Sequence, residues 1–332
     1  MTSNIIDGGH RRALVTGARG FVGQPLCNEL VNRGYQVSAA MRLPGPLTAA
    51  ADTVIIGAID GETDWTVALR SVETVIHLAA RVHVMKDTAA DPLSEFLKVN
   101  LYGTSNLAQQ AASAGVKRLV YVSSVKVNGE QTTVNRPFAE SDEPDPQDPY
   151  AVSKLHAEQD LQRIAKETGL EVVIMRPPLV YGPGVKGNFI RLLAAIDRGI
   201  PLPLAGAKNV RSLVYVGNLV DALIACATHP AAAGQTYLVS DGDDVSTAML
   251  VDLIAQSLGR NSRTFNFPPG LLRAAATLLG RTEQVDRLFG SLRVNDEKLR
   301  RDLGWSAPYT LEQGLRTTAD WYHSLHQHRS HM

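Results

Sequence analysis

The stretch "ALVTGARGFVG", residues 13–23, decides how the rest of the chain is read. Ala13 to Thr16 form a short run of small, apolar and β-branched residues, as in a buried strand. Gly17, Gly20 and Gly23 then fall at every third place, opening a run over 21–33 in which Val22, Leu26 and Leu30 recur every four residues. A strand that turns at once into a helix presents the helix's first amides at one end of the turn, where an anion is favoured. Glycines there permit a tight turn and let the backbone approach a pyrophosphate closely. The spacing is G-x-x-G-x-x-G, not the G-x-G-x-x-G of the general dinucleotide fingerprint. Its place between a first strand and an amphipathic helix therefore carries as much of the reading as the glycines do.

Working outward, "VSAAM", "TVII", "TVIHLA", "RLVYVSS" and "EVVIMRP" are apolar throughout, the mark of strands buried on both faces of a parallel sheet. They alternate with longer helical patterns, which predicts an α/β fold with an open, doubly wound parallel sheet. After about residue 180 the alternation breaks into Gly/Pro-rich pieces, "YGPGVKG", "GIPLPLAG" and "NFPPGLL". A nucleotide-binding domain over 11–180 is expected, followed by a smaller substrate-binding lobe over 181–325 from which the chain also returns to the sheet.

Composition narrows the function classes. Lys+Arg and Asp+Glu both number 33, so no net field attracts nucleic acid or an anionic membrane. The start, "MTSNIIDGGHRR", lacks the apolar stretch of a signal peptide, and no run approaches the ~18 apolar residues of a spanning helix. A cytoplasmic protein without membrane insertion is expected. Cys27 and Cys226 lie in apolar helical patterns without a C-x-x-C spacing and read as buried thiols. The histidines of the tail "HSLHQHRSHM" read as a frayed terminus, and no metal site is expected.

Two further stretches carry chemistry. In "DPYAVSK", Asp148 suits a helix N-cap and Pro149 the first helical position, which puts Tyr150 and Lys154 on one helix face four residues apart. A phenol is a poor base at neutrality, but a nearby ammonium favours its phenolate, making proton transfer at a sugar or alcohol hydroxyl feasible. In "VSSVKVNGE", residues 122–130, Ser123 and Ser124 end an apolar strand, where a hydroxyl serves either chemistry or the capping of a turn.

The ordered set of glycine turn, "VNLYGT" (99–104), strand-end serines and Tyr150/Lys154 strongly resembles the extended short-chain dehydrogenase/reductases in their NAD-dependent epimerase/dehydratase branch. "HLAA" (77–80), "MRPPLVYGPG" (175–184), "RSLVYVGNLVDAL" (211–223) and "LGW" (303–305) match as well, so the likeness covers nearly the whole chain. The resemblance implies a Rossmann-like NAD(P) domain and three catalytic residues. Ser124 would hold the reacting oxygen, Tyr150 would exchange the proton, and Lys154 would hold the nicotinamide ribose while lowering the tyrosine's pKa. It implies cofactor contacts from Gly17, Arg19, Gly20, Phe21, Val22, Gly23, Leu78, Ala79, Ala80, Asn100 and Pro177. It places Asn188 and Arg211 at a nucleotide diphosphate and implies a homodimer through the helices that carry Asn100 and Tyr150.

The same resemblance separates branches. Its dehydratases carry Asp-Glu directly after the catalytic serine, where this chain has Val125 and Lys126, so dehydration is not expected. Many of its sugar-nucleotide enzymes have asparagine where this chain has Leu179. NAD-binding members end the second strand with an acidic residue for the ribose hydroxyl; here Met41 stands there, followed by Arg42. An arginine can grip a 2′-phosphate by a charge-assisted fork, and Arg19 can add a second charge. NADP(H) is expected over NAD(H). The leading expectation is a UDP-sugar C4 enzyme, a reductase of a 4-keto-6-deoxy sugar or a 4-epimerase. A dihydroflavonol-type reductase of a small ketone and a redox-sensing binding protein are the competing readings.

Overall fold

The computed structural model describes residues 11–47, 49–82, 91–268, 270, 277 and 288–327. The apolar runs form β1 (Arg12–Thr16), β2 (Gln36–Met41), β3 (Asp52–Ile55), β4 (Thr74–His77), β5 (Arg118–Val122) and β6 (Glu171–Arg176). With β9 (Thr236–Leu238) they make a seven-stranded sheet in the order β3-β2-β1-β4-β5-β6-β9. The pairings of β1 with β2 and β4, of β2 with β3, and of β4 with β5 are all parallel. The chain runs outward from β1 through β2 and β3, then returns to start β4 on the other side of β1. That reversal leaves a crevice at the carboxyl ends of β1 and β4, the place where open α/β sheets bind ligands. The glycine turn follows β1 there.

α1 (Gly23–Asn32) buries Leu26, Cys27 and Leu30, the stripe legible in the sequence. α3 (Thr104–Ser113), after the short α2 (Pro92–Leu97), and α4 (Pro149–Thr168) cover one face of the sheet. Leu107 and Ala111 of α3 and Ala157, Leu161 and Ile164 of α4 pack against Leu14, Val75, Leu119, Tyr121, Val172 and Ile174. α4 starts as its sequence requires: the Asp148 carboxylate accepts from Ala151 N at 2.7 Å, and Pro149 occupies the first turn. It stops at Gly169, whose φ of 78° suits a residue without Cβ.

The chain forms two compact units interleaved in sequence. One takes the segments up to Val122, Asp148–Ile174 and Cys226–Gln235; the other takes Ser123–Gln147, Met175–Ala225 and the chain from Thr236 onward. The second contains a parallel pair, β7 (Leu179–Tyr181) with β8 (Leu213–Tyr215). Buried Asp241 organises this pair, accepting from Tyr181 Oη, Tyr215 N and Asn218 Nδ2 at 2.7–2.8 Å. α5 (Gly187–Asp197), α6 (Val216–Thr228), α7 (Thr247–Ser257), α8 (Glu297–Leu303) and α9 (Leu311–Gln327) complete the described helices. Among the described residues no helix is long and apolar enough to cross a membrane. Burial pushes the Cys27 and Cys226 thiols up to about 12. The last residues of the histidine tail, 328–332, lie outside the described residues.

Candidate active site

Each glycine of the turn is required by contact. Gly17 has φ 67°, and a Cβ on it would stand 3.0 Å from Ala79 N and 3.2 Å from Leu78 C. A Cβ on Gly23 would overlap the Gly17 carbonyl oxygen, and Gly20 N donates to that same oxygen at 2.8 Å. α1 then begins behind Val22 with no side chain capping it. Gln24 N donates to Gly20 O at 3.1 Å and Pro25 has no N–H, so it is the positive end of the helix, rather than a row of open amides, that faces whatever occupies the turn.

A buried network sets the opposite wall. Thr16 Oγ1 accepts from Leu78 N and Ala79 N, both at 3.1 Å, and lies 2.6 Å from His77 Nδ1. Two amides fill the hydroxyl's two lone pairs, so its proton goes to Nδ1. His77 therefore carries its own proton on Nε2 and donates to Thr104 Oγ1 at 3.0 Å. Burial, aided by the charge of Lys154, lowers the His77 pKa to about 3, so the ring stays neutral. The network ties the end of β4 to the end of β1 and fixes Leu78 and Ala79 beside Gly17; Ala80 follows them, half-buried.

Asn100 sits in a π-helical turn, Lys98–Gly103, a distortion common at functional positions. Its Oδ1 accepts from Arg81 N at 2.8 Å, and its Nδ2 donates to Arg81 O and to Ser153 Oγ. The side chain clamps the backbone just after Ala80 to α4. Ser153 in turn donates to Tyr150 O at 2.7 Å.

On α4, Lys154 is only 2% exposed. Its Nζ donates to Val122 O at 2.8 Å and lies 4.5 Å from the Tyr121 ring centre and 5.9 Å from that of Tyr150. Burial pulls its pKa down to about 7, opposed by the charge of Glu158. Tyr150 is half-buried, and the buried Phe96 packs edge-on against it, ring centres 6.2 Å apart. A phenol held beside a desolvated ammonium can both give and take a proton near neutrality.

Ser124 lies two residues beyond Val122 along the chain. Its Oγ accepts from Lys126 N at 3.2 Å, capping a 3-10 turn over Val125–Val127, and retains its own proton for donation. Ser123 Oγ is buried and has no hydrogen-bond partner among the described residues. Val125 is a core residue, packed with Leu238, Leu292, Val294 and Phe138. Lys126 is held by Glu130 at 2.6 Å. Neither residue is a carboxyl. Val125 N donates to Pro177 O at 3.0 Å, and Arg176 Nη1 donates to Asn128 Oδ1 at 3.1 Å, so the two stretches meet through backbone and side chain. Arg211 is half-buried, its Nη1 anchored on Gly290 O at 2.9 Å, while Asn188 is exposed on the first turn of α5.

At the end of β2, Met41 is buried and Arg42 is exposed, with no carboxylate at either place. The Arg19 guanidinium reaches the following loop so closely that a Cβ on Gly45 would overlap it. Sequence reasoning did not single out Thr16, His77, Thr104, Ser153 or Glu158. The first two had a legible signal, a polar residue closing an otherwise apolar strand.

The glycine cradle, the uncapped start of α1 and the fixed Leu78–Ala79 edge fit the pyrophosphate of a dinucleotide. A parallel sheet with this turn at its switch point and a Tyr-x-x-x-Lys helix beside it defines an extended short-chain dehydrogenase/reductase. Residues 13–240 match the NAD dependent epimerase/dehydratase family, and the chain belongs to that family of enzymes. A UDP-glucose 4-epimerase from Vibrio cholerae is 43% identical over 310 residues, 92% of this chain and 94% of that one. A 3-beta-hydroxysteroid dehydrogenase from Mycolicibacterium neoaurum is 29% identical over 341 residues, 95% and 92% of the two chains. The solved structure of MoeE5 in complex with UDP-glucuronic acid and NAD superposes with a TM-score of 0.76 at 29% identity, covering 95% of this chain and 99% of that one.

Proposed function

We propose that the chain transfers hydride at C4 of a UDP-linked hexose or hexosamine, and that its net reaction is reduction of a 4-keto-6-deoxy sugar. The observation that carries the proton chemistry is the buried Lys154 beside Tyr150. Bound at the glycine turn, a nicotinamide cofactor would supply the hydride. Tyr150 gives its hydroxyl proton to the sugar oxygen as the carbonyl is reduced, and Lys154 stabilises the phenolate left behind. Ser124 donates a hydrogen bond to the same oxygen. Arg211, already anchored at Gly290 O, and Asn188 hold the diphosphate.

Two observations support net reduction. Val125 in the core and Lys126 paired with Glu130 leave no carboxyl pair for dehydration. The end of β2 offers Arg42, with Arg19 reaching the next loop, where a ribose hydroxyl would need an acid. That arrangement favours NADP(H), a separate reducing pool that a net reductase needs. A 4-epimerase is the second reading, favoured by the 43% identity to the Vibrio cholerae UDP-glucose 4-epimerase. The proposal includes a homodimer through the helices carrying Asn100 and Tyr150, where Tyr102 is 55% exposed; sedimentation tests it.

The deciding assay supplies UDP-4-keto-6-deoxy-N-acetylglucosamine with NADPH or NADH and follows absorbance at 340 nm, beside UDP-glucose without added cofactor. Oxidation of NADPH dependent on the keto sugar is expected. UDP-galactose formed from UDP-glucose with no cofactor consumed would instead establish the epimerase.

A further inference from the structure

α4 carries a third ionisable side chain in step with the first two. Tyr150, Lys154 and Glu158 are spaced four residues apart and share a face. Lys154 and Glu158 are each only 2% exposed, one helical turn from one another. A lone ammonium taken this far from water sheds its proton, because nothing replaces its hydration.

The other groups around Lys154 do not supply the missing charge. Tyr121 on β5, the ring under its Nζ, is fully buried, and burial raises its pKa well above the ordinary phenol value, so it is neutral. His77 on β4 is neutral. Asn100 beside Ser153 carries no charge, and Val122 offers only a carbonyl. Tyr150 alternates between phenol and phenolate in the proposed reaction, so its charge is absent when the proton is still to be given. Among these groups Glu158 alone is a carboxyl, and its charge acts on Lys154 and on Tyr121 alike.

We propose that Glu158 is the counter-charge of the buried Lys154: it favours the ammonium form of the lysine and so positions the proton equilibrium of Tyr150 without touching substrate. This rests on the reading that Tyr150 and Lys154 move the proton. It adds to Tyr-x-x-x-Lys a third member one turn further along, whose part is to set the pH range of the reaction.

The test is Glu158→Gln, with Glu158→Asp as the charge-preserving control. In full-length protein labelled with ¹³C at lysine Cε, the Lys154 resonance, assigned by its loss in Lys154→Met, is titrated against pH. Glu158 raises the lysine's proton affinity, so removing its charge lowers the midpoint. A fall of about one pH unit or more, a tenfold change in proton affinity, is expected for Glu158→Gln and a smaller fall for Glu158→Asp. The alkaline limb of the pH–rate profile moves down with it, while the rate on the acid side stays within about threefold of wild type. A rate reduced equally at every pH, with an unmoved midpoint, overturns the proposal and leaves Glu158 a packing residue. If Glu158→Gln fails to give a native circular dichroism spectrum, the Glu158→Asp midpoint decides, and no shift there overturns the proposal. The midpoint needs no turnover: a shifted lysine in a protein inactive on UDP-sugars supports the counter-charge and rejects the sugar assignment instead.

Discussion

Replacing Gly17 by alanine separates two effects that a second glycine isolates. Gly17 and Gly34 both adopt left-handed backbone, φ 67° and 81°. A side chain there costs about 1–2 kcal/mol in each case. Around Gly34 a Cβ meets nothing within 4 Å, so Gly34→Ala should lose that amount and no more. On Gly17 the same Cβ stands 3.0 Å from Ala79 N and 3.2 Å from Ala79 Cα, backbone held in place by Thr16. Forcing a methyl into such a contact adds about 1–3 kcal/mol, so Gly17→Ala should lose roughly 2–5 kcal/mol in total. The displaced turn should also weaken cofactor. Loss of one hydrogen bond to a charged phosphate, about 1.5–3 kcal/mol, corresponds to a roughly 10- to 150-fold rise in Kd. Urea unfolding measures the first quantity, and titration of NADPH and NADH by quenching of protein fluorescence the second. Equal stability losses in the two variants, or full cofactor affinity in Gly17→Ala, would refute the close approach as the reason for the glycine.

Tyr150→Phe should keep the ring's contact with Phe96 and the cofactor affinity while turnover falls ~10²–10⁴-fold; more than a tenth of the wild-type rate would move the proton donor elsewhere. Arg42→Ala should cut the NADPH-over-NADH preference at least tenfold, about 1.4 kcal/mol, read from the ratio of kcat/KM values, and an unchanged ratio would assign the arginine to solvent. His77 makes stability depend on acid. Below about 6.5 the unfolded chain binds a proton that folded His77 refuses until about 3. Stability should therefore fall as pH drops through that window, by up to about 1.4 kcal/mol per pH unit from this residue. Urea midpoints of wild type and His77→Asn across pH 7 to 4 check it, the variant giving a shallower fall; parallel slopes would show that the ring is not held neutral.

Local pattern alone determined the frame of this protein. Six apolar runs become β1 to β6: five are largely buried, with no polar alternation to hide them, while β3, at the sheet edge, is mostly exposed despite its apolar run. The glycine turn and the Asp148-Pro149 start of α4 were equally legible, since turn and cap chemistry is written within a few residues. That Val125 and Lys126 bring no carboxyl pair was legible from their identities, and the structure shows where their side chains go. Only the tertiary structure decided how Thr16, His77 and Thr104 share protons, that Asn100 spends its amide on Arg81 and Ser153, and that Lys154 lies out of reach of water. It also decided that 123–147 belongs with chain beyond residue 175 rather than with the strand it follows. Helix and strand periods record which way a side chain points along its own element. Burial, proton affinity and the partner of a polar atom depend on residues tens of positions away, and no local period encodes them.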